Sequence, residues 1–269
     1  MSQLKIFCCV CAFIVLAVHT SNAETLKVGI YPVQYTVPAG YIVLNVGDDT
    51  RNEAEKNYLS FFVNLYKGNL SSLLSLFIPQ KEYAALSGNR PLGEYALVYY
   101  MDPLADIFFS EDDFSLLKLK VTENGITEET MEAANVPMTV GTQKILKDEP
   151  NIFSVAQSVN VGDGQREKVF SVANFLNIDG IILCISYGGQ FQTQSDIDAL
   201  VKKNEQFIQN LNLKSVEGNR PLPQNSSSAT SALTQIAPLV LTIVGGITLF
   251  MAVVLGLFFF FQKRNQKKG

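Results

Sequence analysis

Residues 168–187 of the chain read KVFSVANFLNIDGIILCISY. Two runs rich in apolar, β-branched and aromatic residues, 168–176 and 181–187, flank the dipeptide Asp179-Gly180. Asp-Gly between two such runs is typical of the tight turn of a β-hairpin. The stretch therefore predicts two antiparallel strands joined by a short turn.

The pattern continues on both sides of this hairpin. Upstream, residues 138–146 and 152–161 are predicted strands, and Gly162-Asp163-Gly164 connects the second of them to the hairpin. Downstream, Ser195-Asp196-Ile197-Asp198 marks the start of a helix with one apolar stripe. The stripe consists of Ile197, Leu200, Val201, Phe207, Ile208 and Leu211. An antiparallel meander packed with helices predicts an α+β fold.

Residues 175–187, the following loop and residues 196–211 together resemble the closing strand and helix of PsbP/Mog1/DcrB-like domains. The resemblance implies an α/β/α sandwich on an antiparallel sheet, a fold used largely by binding or assembly modules rather than enzymes. It rests on pattern and does not extend to residues 24–136. No functional residue is carried over, because a shared fold does not specify a site.

Shorter elements are predicted in the N-terminal part of the chain. Residues 26–30 and 41–46 are predicted strands. The breakers between them are Pro32, Pro38, Ala39 and Gly40. Residues 52–66 have apolar positions at helical spacing, and Gly68 follows at the position that favours a left-handed cap. We therefore expect two strands followed by a helix.

The middle of the chain contains one ambiguous segment and one clear helix start. Residues 70–78 fit either a helix or a strand, whereas residues 94–101 (EYALVYYM) predict a strand. Ser110, followed three residues later by Asp113, predicts a helix opened by a capping box and ending near Gly125. A second short helix is predicted over residues 128–135.

The N-terminal residues 1–23 have the features of a cleaved secretory signal. Lys5 precedes an uncharged apolar run over residues 6–18, and Ser21-Asn22-Ala23 supplies short side chains at the cleavage position. The run is too short for a ~30 Å hydrocarbon core. An uncleaved anchor is the alternative interpretation.

Residues 239–261 (LVLTIVGGITLFMAVVLGLFFFF) contain no charged residue. As a helix they would extend ~34 Å, enough to cross a bilayer. Four of the last eight residues, 262–269, are basic and none is acidic. By the positive-inside rule this tail is cytoplasmic, and the N-terminal domain lies outside, in the periplasm if the host is a bacterium. A basic tail also argues against a GPI-anchor signal.

The sequence between these ends divides into two parts. Residues 24–220 are expected to form one extracytoplasmic domain. Residues 221–238 are polar, rich in Ser and Thr, and predict a flexible stalk.

Residues 24–236 contain 16 basic and 25 acidic residues, a net charge of −9. This excess of negative charge argues against nucleic acid as a partner. The bilayer and another membrane or envelope protein are the expected partners.

The distribution of Cys and His excludes several classes of chemistry. Cys8, Cys9, Cys11 and the sole histidine, His19, all lie within the signal. The mature chain therefore keeps only Cys184, which excludes an intramolecular disulfide, His-based nucleophile systems and His-ligated zinc or haem. Cys184 lies in an apolar run and is interpreted as a buried, inert thiol. No cofactor or metal is expected.

Candidate site residues are few. Glu111-Asp112-Asp113 is the densest acidic cluster, and capping of a helix explains it better than acid–base catalysis. Asp102 and Asp106, beside Tyr99 and Tyr100, are candidates for lining a binding mouth, although their spacing matches no calcium loop. We assign no catalytic, cofactor-binding or metal residue from the sequence.

Several short motifs are weak signals. Gly162-Asp163-Gly164 lacks the lysine and the helix that a phosphate loop requires, and Gly188-Gly189 is interpreted as a plain loop. Asn69 and Asn225 begin glycosylation sequons, which matter only in a eukaryotic host. Ala252 and Gly256 form a small-xxx-small pair in the predicted span.

Three functions remain open from the sequence. The leading hypothesis is a membrane-tethered, single-pass type I binding or assembly module without enzymatic activity. The first alternative is an accessory subunit that joins a larger membrane complex through its span. The second alternative is a His-independent, carboxylate-based hydrolase of the cell envelope.

Overall fold

The computed structural model of the protein describes residues 23–67, 71–87, 92–123, 138–141, 143–161 and 167–218, together with Leu233. Within this part of the chain, no helix combines the length and the apolar character needed to span a membrane. The predicted span 239–261, the tail, the helix 128–135 and residues 1–22 of the signal lie outside the described residues. Leu233, which falls in the predicted stalk, is buried.

The described elements are strands and helices in mixed order. The strands are β1 (Ala23–Val28), β2 (Tyr31–Thr36), β3 (Tyr41–Asn45), β4 (Ser71–Pro79), β5 (Glu94–Met101), β6 (Met138–Val140), β7 (Lys144–Glu149), β8 (Ile152–Val161), β9 (Glu167–Ile178), β10 (Ile181–Gln190) and β11 (Lys214–Ser215). The helices are α1 (Glu53–Lys67), α2 (Gln80–Ser87), α3 (Glu111–Glu123) and α4 (Gln194–Leu211), with a 3-10 turn over Asp102–Leu104. This composition confirms the predicted α+β class.

The main sheet has eight antiparallel strands. Its order is β3-β4-β5-β10-β9-β8-β6, and β7 also pairs with β8. The predicted meander is confirmed, since β8 pairs with β9 and β9 with β10, with Leu176 opposite both Ile152 and Leu183. Asp179 and Gly180 both adopt positive φ in the turn between β9 and β10, as an Asp-Gly hairpin turn requires.

Side chains alternate between the two faces of the main sheet and fill two cores. On one face, Tyr99 and Cys184 pack with Phe114 of α3 and Phe62 of α1. On the other face, Leu183 and its neighbours pack with α4 and with the three-stranded sheet β1-β2-β11. Helices therefore lie on both faces of the sheet.

Two predictions about where strands are interrupted are wrong. Pro32, predicted to be a breaker, is the second residue of β2 and lies opposite Lys27. Proline is tolerated near the start of a strand, and its carbonyl accepts a bond from the Val216 amide at 3.3 Å. The predicted single strand 138–146 is instead β6 and β7, separated around Gly141. A Cβ at Gly141 would lie 2.2 Å from Ser158 Oγ and 3.3 Å from the Ser158 carbonyl oxygen, so a side chain there would force Ser158 to shift.

Gly188 and Gly189, interpreted as a loop, belong to β10 and pair with Tyr95 and Glu94. At Gly189 a Cβ would lie 2.8 Å from Leu200 Cδ2 and 2.9 Å from the Gly93 carbonyl oxygen. The glycine therefore allows α4 and the loop before β5 to approach the sheet closely.

The remaining differences are local. Of the segment 70–78, ambiguous in sequence, residues 71–78 belong to β4. Helix α2 follows Pro79 at once, and neither it nor β11 was predicted. Helix α4 begins at Gln194, one residue before the predicted start at Ser195, because Thr193 is its N-cap and forms a capping box with Asp196.

Candidate functional site

The acidic cluster at the start of α3 caps the helix. The Asp113 amide lies 3.2 Å from Ser110 Oγ, and the Asp113 carboxylate accepts from the Ser110 amide at 3.1 Å. Glu111 and Asp112 are exposed in the first turn. The capping interpretation is confirmed, because each of these interactions satisfies a helix-terminal group.

The four residues considered as a binding mouth do not lie together. Tyr99 and Tyr100 are adjacent in β5 and belong to opposite faces of the sheet, with Tyr99 fully buried. Asp102 is exposed and accepts a 2.7 Å hydrogen bond from Ser72 Oγ, and Asp106 is also exposed. The prediction that Asp102 and Asp106 line a binding mouth stays a prediction, and Tyr99, which is buried, does not face solvent beside them.

Cys184 is buried in the core, as predicted. Burial raises the pKa of the Cys184 thiol far above its usual value, which keeps it protonated and unreactive. Gly162-Asp163-Gly164, Asn69, Asn225, Ala252 and Gly256 lie outside the described residues.

A groove of about 730 Å³ is bounded by described residues. This groove lies between the turn joining β7 to β8, the end of β9, and the chain that leaves α4 for β11. Residues on its rim include Gln34, Lys147, Asn151, Asp179, Lys214 and Glu217. Its floor contains the apolar side chains Ile152, Leu176, Ile208 and Leu213. The volume falls in the range of sites that bind small ligands or peptide side chains.

Local structure positions both walls of the groove. Asn212 ends α4 in the left-handed conformation, which turns the chain toward β11. On the opposite wall, the Asn177 amide donates to the Asn151 carbonyl at 2.9 Å and joins the end of β9 to the start of β8. The groove therefore lies between regular elements.

A second, smaller cavity of about 230 Å³ adjoins the groove. We call it the side cavity, and it shares Lys147, Ile152 and Ile208 with the groove. Its inner wall is formed by Ser154, Asn174 and Asn204, all of which are buried. Polar side chains buried at one end of a groove that has a polar rim and some apolar floor residues can orient a bound group.

Asn174 of β9 and Asn204 of α4 bond to each other through their side chains. Asn174 Nδ2 donates to Asn204 Oδ1 at 2.8 Å, and Asn204 Nδ2 donates to Asn174 Oδ1 at 3.2 Å. Ser154 Oγ donates to Asn174 Oδ1 at 2.8 Å, and Asn174 Nδ2 also donates to the Ile185 carbonyl at 3.0 Å. The pair ties α4 to the centre of the sheet.

A second buried polar cluster surrounds Glu94, the first residue of β5, which is 5% exposed. Its Oε2 atom accepts from Lys203 Nζ at 2.6 Å and from Lys81 Nζ at 3.0 Å. Its Oε1 atom accepts from the Tyr187 hydroxyl, which lies 2.8 Å from the Tyr41 hydroxyl. The cluster joins α2, α4 and three strands of the main sheet.

The protonation states of this cluster do not suit acid–base catalysis. Burial raises the pKa of the Glu94 carboxyl, but hydrogen bonds from Lys203, Tyr187 and Lys81 outweigh it, and the pKa lies below its ordinary value. Burial and the bond to Glu94 raise the pKa of the Tyr187 phenol. The carboxylate stays ionised and the phenol protonated at neutral pH, whereas a catalytic pair needs a pKa near the working pH.

Sequence reasoning missed Glu94, Asn174 and Asn204. The available signal was a polar residue at a position that the periodicity assigns to the core. Asn204 falls within the apolar stripe of α4, between Leu200 and Phe207, and Asn174 has the same parity in β9 as the buried Val172. A buried polar residue in such a position requires hydrogen-bond partners, which a local pattern does not identify.

No protein-family model and no curated protein matches the chain. Among solved structures it is similar to cyanobacterial PsbP (CyanoP) from Synechocystis sp. PCC 6803, with 11% identity, coverage of 74% of this chain and 95% of that chain, and a TM-score of 0.34. It is also similar to the Ran-binding protein Mog1p of Saccharomyces cerevisiae, with 9% identity, coverage of 71% and 93%, and a TM-score of 0.33. The weak fold-level resemblance predicted from residues 175–211 is confirmed.

Proposed function

We propose that the chain is a single-pass type I membrane protein whose outer domain is a binding module of the PsbP/Mog1-like α/β/α type. In this proposal residues 1–23 are a cleaved signal, residues 24–220 are the outer domain, residues 221–238 are the stalk and residues 239–261 are the membrane helix. The tail 262–269 faces the cytoplasm. The uncharged length of the span and the basic tail support this topology.

The observation that carries the binding role is the groove with its side cavity. It combines an apolar floor, a rim bearing both signs of charge, and buried polar side chains at one end. The carboxylates of Asp113, Asp102 and Glu94 are engaged by a helix cap, a hydroxyl and lysines respectively, so they offer less support for the hydrolase alternative. The accessory-subunit alternative depends on the span rather than on the groove.

Site-specific photocrosslinking in intact membranes tests the binding role. A benzophenone side chain is introduced into the full-length protein at Lys214, an exposed residue on the rim of the groove. The matched control carries the same probe at Lys202, an exposed residue of α4 that does not line the groove. A discrete adduct from position 214 and none from position 202 supports the proposal. Equal adducts from both positions contradict it.

The topology is tested separately. The full-length protein should stay with membranes in alkaline carbonate, because that wash removes peripheral proteins and leaves a spanning helix in the bilayer. Protease added outside spheroplasts or intact cells should remove the outer domain and leave a small membrane fragment. If external protease leaves the domain intact, the orientation of the protein in the membrane is the opposite of the one proposed.

A further inference from the structure

Leu233 lies in the segment that the sequence assigns to a stalk, yet its side chain is 1% exposed. It is buried in the same core as Phe62 and Tyr66 of α1 and Phe114 of α3. That core occupies one face of the main sheet, whereas the floor of the groove packs in the core on the other face. Burial of its apolar surface holds a leucine in such a position. The chain is therefore fixed, at position 233, to the side of the domain that carries α1 and α3.

The position of Leu233 limits the distance between the domain and the membrane. Residue 233 is six Cα–Cα steps from the start of the predicted span at residue 239, which is about 20 Å when the chain is fully extended. From Gly218, the last described residue before Leu233, a free chain would instead have 21 steps and reach about 70 Å. Anchoring at Leu233 therefore keeps the α1 and α3 side of the domain close to the bilayer surface.

The charge of α1 suits a close approach to lipid headgroups. Residues 57–67 (NYLSFFVNLYK) contain no acidic residue, although residues 24–236 carry an excess of nine negative charges. The described exposed positions of this stretch are Asn57, Ser60, Asn64 and Lys67. A negatively charged lipid surface repels carboxylates and attracts lysine. The outer surface of α1 is therefore compatible with anionic lipid.

The other two long helices expose acidic residues. In the same layer as α1, helix α3 exposes Glu111, Asp112 and Glu123. On the opposite face of the sheet, α4 exposes Asp198 and Glu205. Each of these carboxylates would be repelled by an anionic surface. The distribution of charge therefore favours α1 as the helix that meets the headgroups.

Resting on the proposed membrane topology, we infer that the outer surface of α1 lies against the lipid bilayer, with anionic phospholipid headgroups as its partner. Docking of Leu233 sets the short distance to the span, and the acid-free surface of α1 permits the contact. The groove lies on the opposite face of the sheet, so it is reached from the aqueous side rather than from the lipid.

The test measures contact with lipid in full-length protein reconstituted into vesicles of phosphatidylcholine and phosphatidylserine. A fluorophore is attached at Asn64→Cys, an exposed position of α1, or at Lys202→Cys, an exposed position of α4. Cys184 is buried and stays unlabelled in the folded protein. A nitroxide on the lipid headgroup quenches only fluorophores that approach it closely. We expect quenching at position 64 to be about threefold stronger than at position 202.

Two insertions distinguish a docked Leu233 from a free stalk. A Gly-Ser insert of about ten residues adds a coil with a span of about 17 Å. Placed after Gln235, between Leu233 and the span, it should lower quenching at position 64 to the level of position 202. Placed after Gln224, upstream of Leu233, it should leave quenching unchanged, because the cost of closing a loop rises only with the logarithm of its length. Both insertions leave every described residue unchanged.

The lipid charge is tested by a change on each side of the contact. Vesicles of phosphatidylcholine alone should reduce quenching at position 64 about twofold, and Lys67→Glu should have the same effect. The matched control is Lys202→Glu, the same change at an exposed position of α4, which should have no effect. Quenching at position 64 that is independent of anionic lipid overturns the assignment of the headgroup.

The outcomes separate this inference from the proposed topology. Equal quenching at the two positions, or stronger quenching at position 202, overturns the inference, and retention of the protein in alkaline carbonate still supports the topology. Equal effects of the two insertions show that Leu233 does not anchor the chain and also overturn it. If position 64 is not quenched but a benzophenone there crosslinks a protein in native membranes, the α1 surface binds protein and the lipid inference is wrong. Loss of the protein from vesicles in alkaline carbonate overturns both the topology and the inference.

Discussion

Glu94 Oε2 lies 2.6 Å from the ammonium nitrogen of Lys203, although the two residues are 109 positions apart in the sequence. The contact joins the first residue of β5 to the middle of α4. Glu94 is buried and Lys203 reaches it from the surface, with 40% of its side chain exposed. The Glu94 carboxylate therefore holds the middle of α4 against the sheet. The contact lies at the end of the sheet that is opposite the groove.

Replacing Glu94 should weaken the fold as a whole. Glu94→Gln keeps the shape but leaves the Lys203 and Lys81 ammonium groups without a carboxylate, so we expect a loss of about 1–3 kcal/mol in the free energy of unfolding. Urea denaturation followed by circular dichroism measures this. The control is Glu53→Gln, since the Glu53 side chain is 86% exposed. A wild-type midpoint in Glu94→Gln would show that the buried pair contributes nothing net.

The same carboxylate predicts a pH dependence of stability. The folded pKa of Glu94 lies below its ordinary value of 4.5. The unfolded chain therefore binds the proton first as pH falls, and the stabilisation by Glu94 is full above that value and lost as pH drops through the folded pKa. Urea midpoints measured from about pH 6 to about pH 3 should fall more steeply for the wild type than for Glu94→Gln. Parallel slopes in the two proteins would contradict this prediction.

The parts of the fold that were predictable are those that neighbouring residues determine. Asp179-Gly180 encodes the turn between β9 and β10, and the periodicity of residues 152–211 encodes three strands and α4. Pro32 was misread because the pairing of β2 with β1 and β11 outweighs the local preference of proline. Gly188 and Gly189 were misread because their role depends on side chains of β5 and α4 that local sequence does not place beside them.

The candidate site was not predictable for the same physical reason. Asn174 and Asn204 are 30 residues apart on different elements, and each is an ordinary polar residue within its own segment. The groove forms where β7, β8, β9, α4 and β11 meet, so its residues share no motif. The one local sign was that Asn204 occupies a position in the apolar stripe of α4. Such a position indicates that the side chain has a buried hydrogen-bond partner, but it does not identify that partner.

Gly189 should be intolerant of any side chain. A Cβ there would lie 2.9 Å from the Gly93 carbonyl oxygen, a backbone atom, as well as 2.8 Å from Leu200 Cδ2. We expect Gly189→Ala to cost about 1–3 kcal/mol in unfolding free energy, because the backbone must shift. Gly188→Ala is the comparison, since its Cβ would meet the Tyr95 side chain at 3.0 Å and no backbone atom closer than 3.5 Å. A smaller loss at Gly189 than at Gly188 would contradict the close-approach explanation.

The start of α4 can be located by mutation. Thr193 Oγ1 accepts from the Asp196 amide at 3.3 Å, and the Asp196 carboxylate accepts from the Thr193 amide at 2.8 Å. Thr193→Ala should cost about 1 kcal/mol, the usual value of an N-cap. Ser195→Ala, at the residue that the sequence suggested as the start, should leave stability unchanged. A larger loss of stability in Ser195→Ala than in Thr193→Ala would show that the helix is capped at position 195 instead.

Thiol counting tests the burial of Cys184 and the removal of the signal in one experiment. Burial protects the Cys184 thiol from reagents in the folded protein. The other three cysteines of the sequence, Cys8, Cys9 and Cys11, precede the predicted cleavage position and leave with the signal. Protein purified from membranes should react with no maleimide in the folded state and with one equivalent in denaturant, as measured by intact mass. Lys202→Cys, at an exposed position, is the control and should react at once in the folded state. Four equivalents in denaturant would show that the signal is retained, and rapid labelling of the folded wild type would show that Cys184 is accessible.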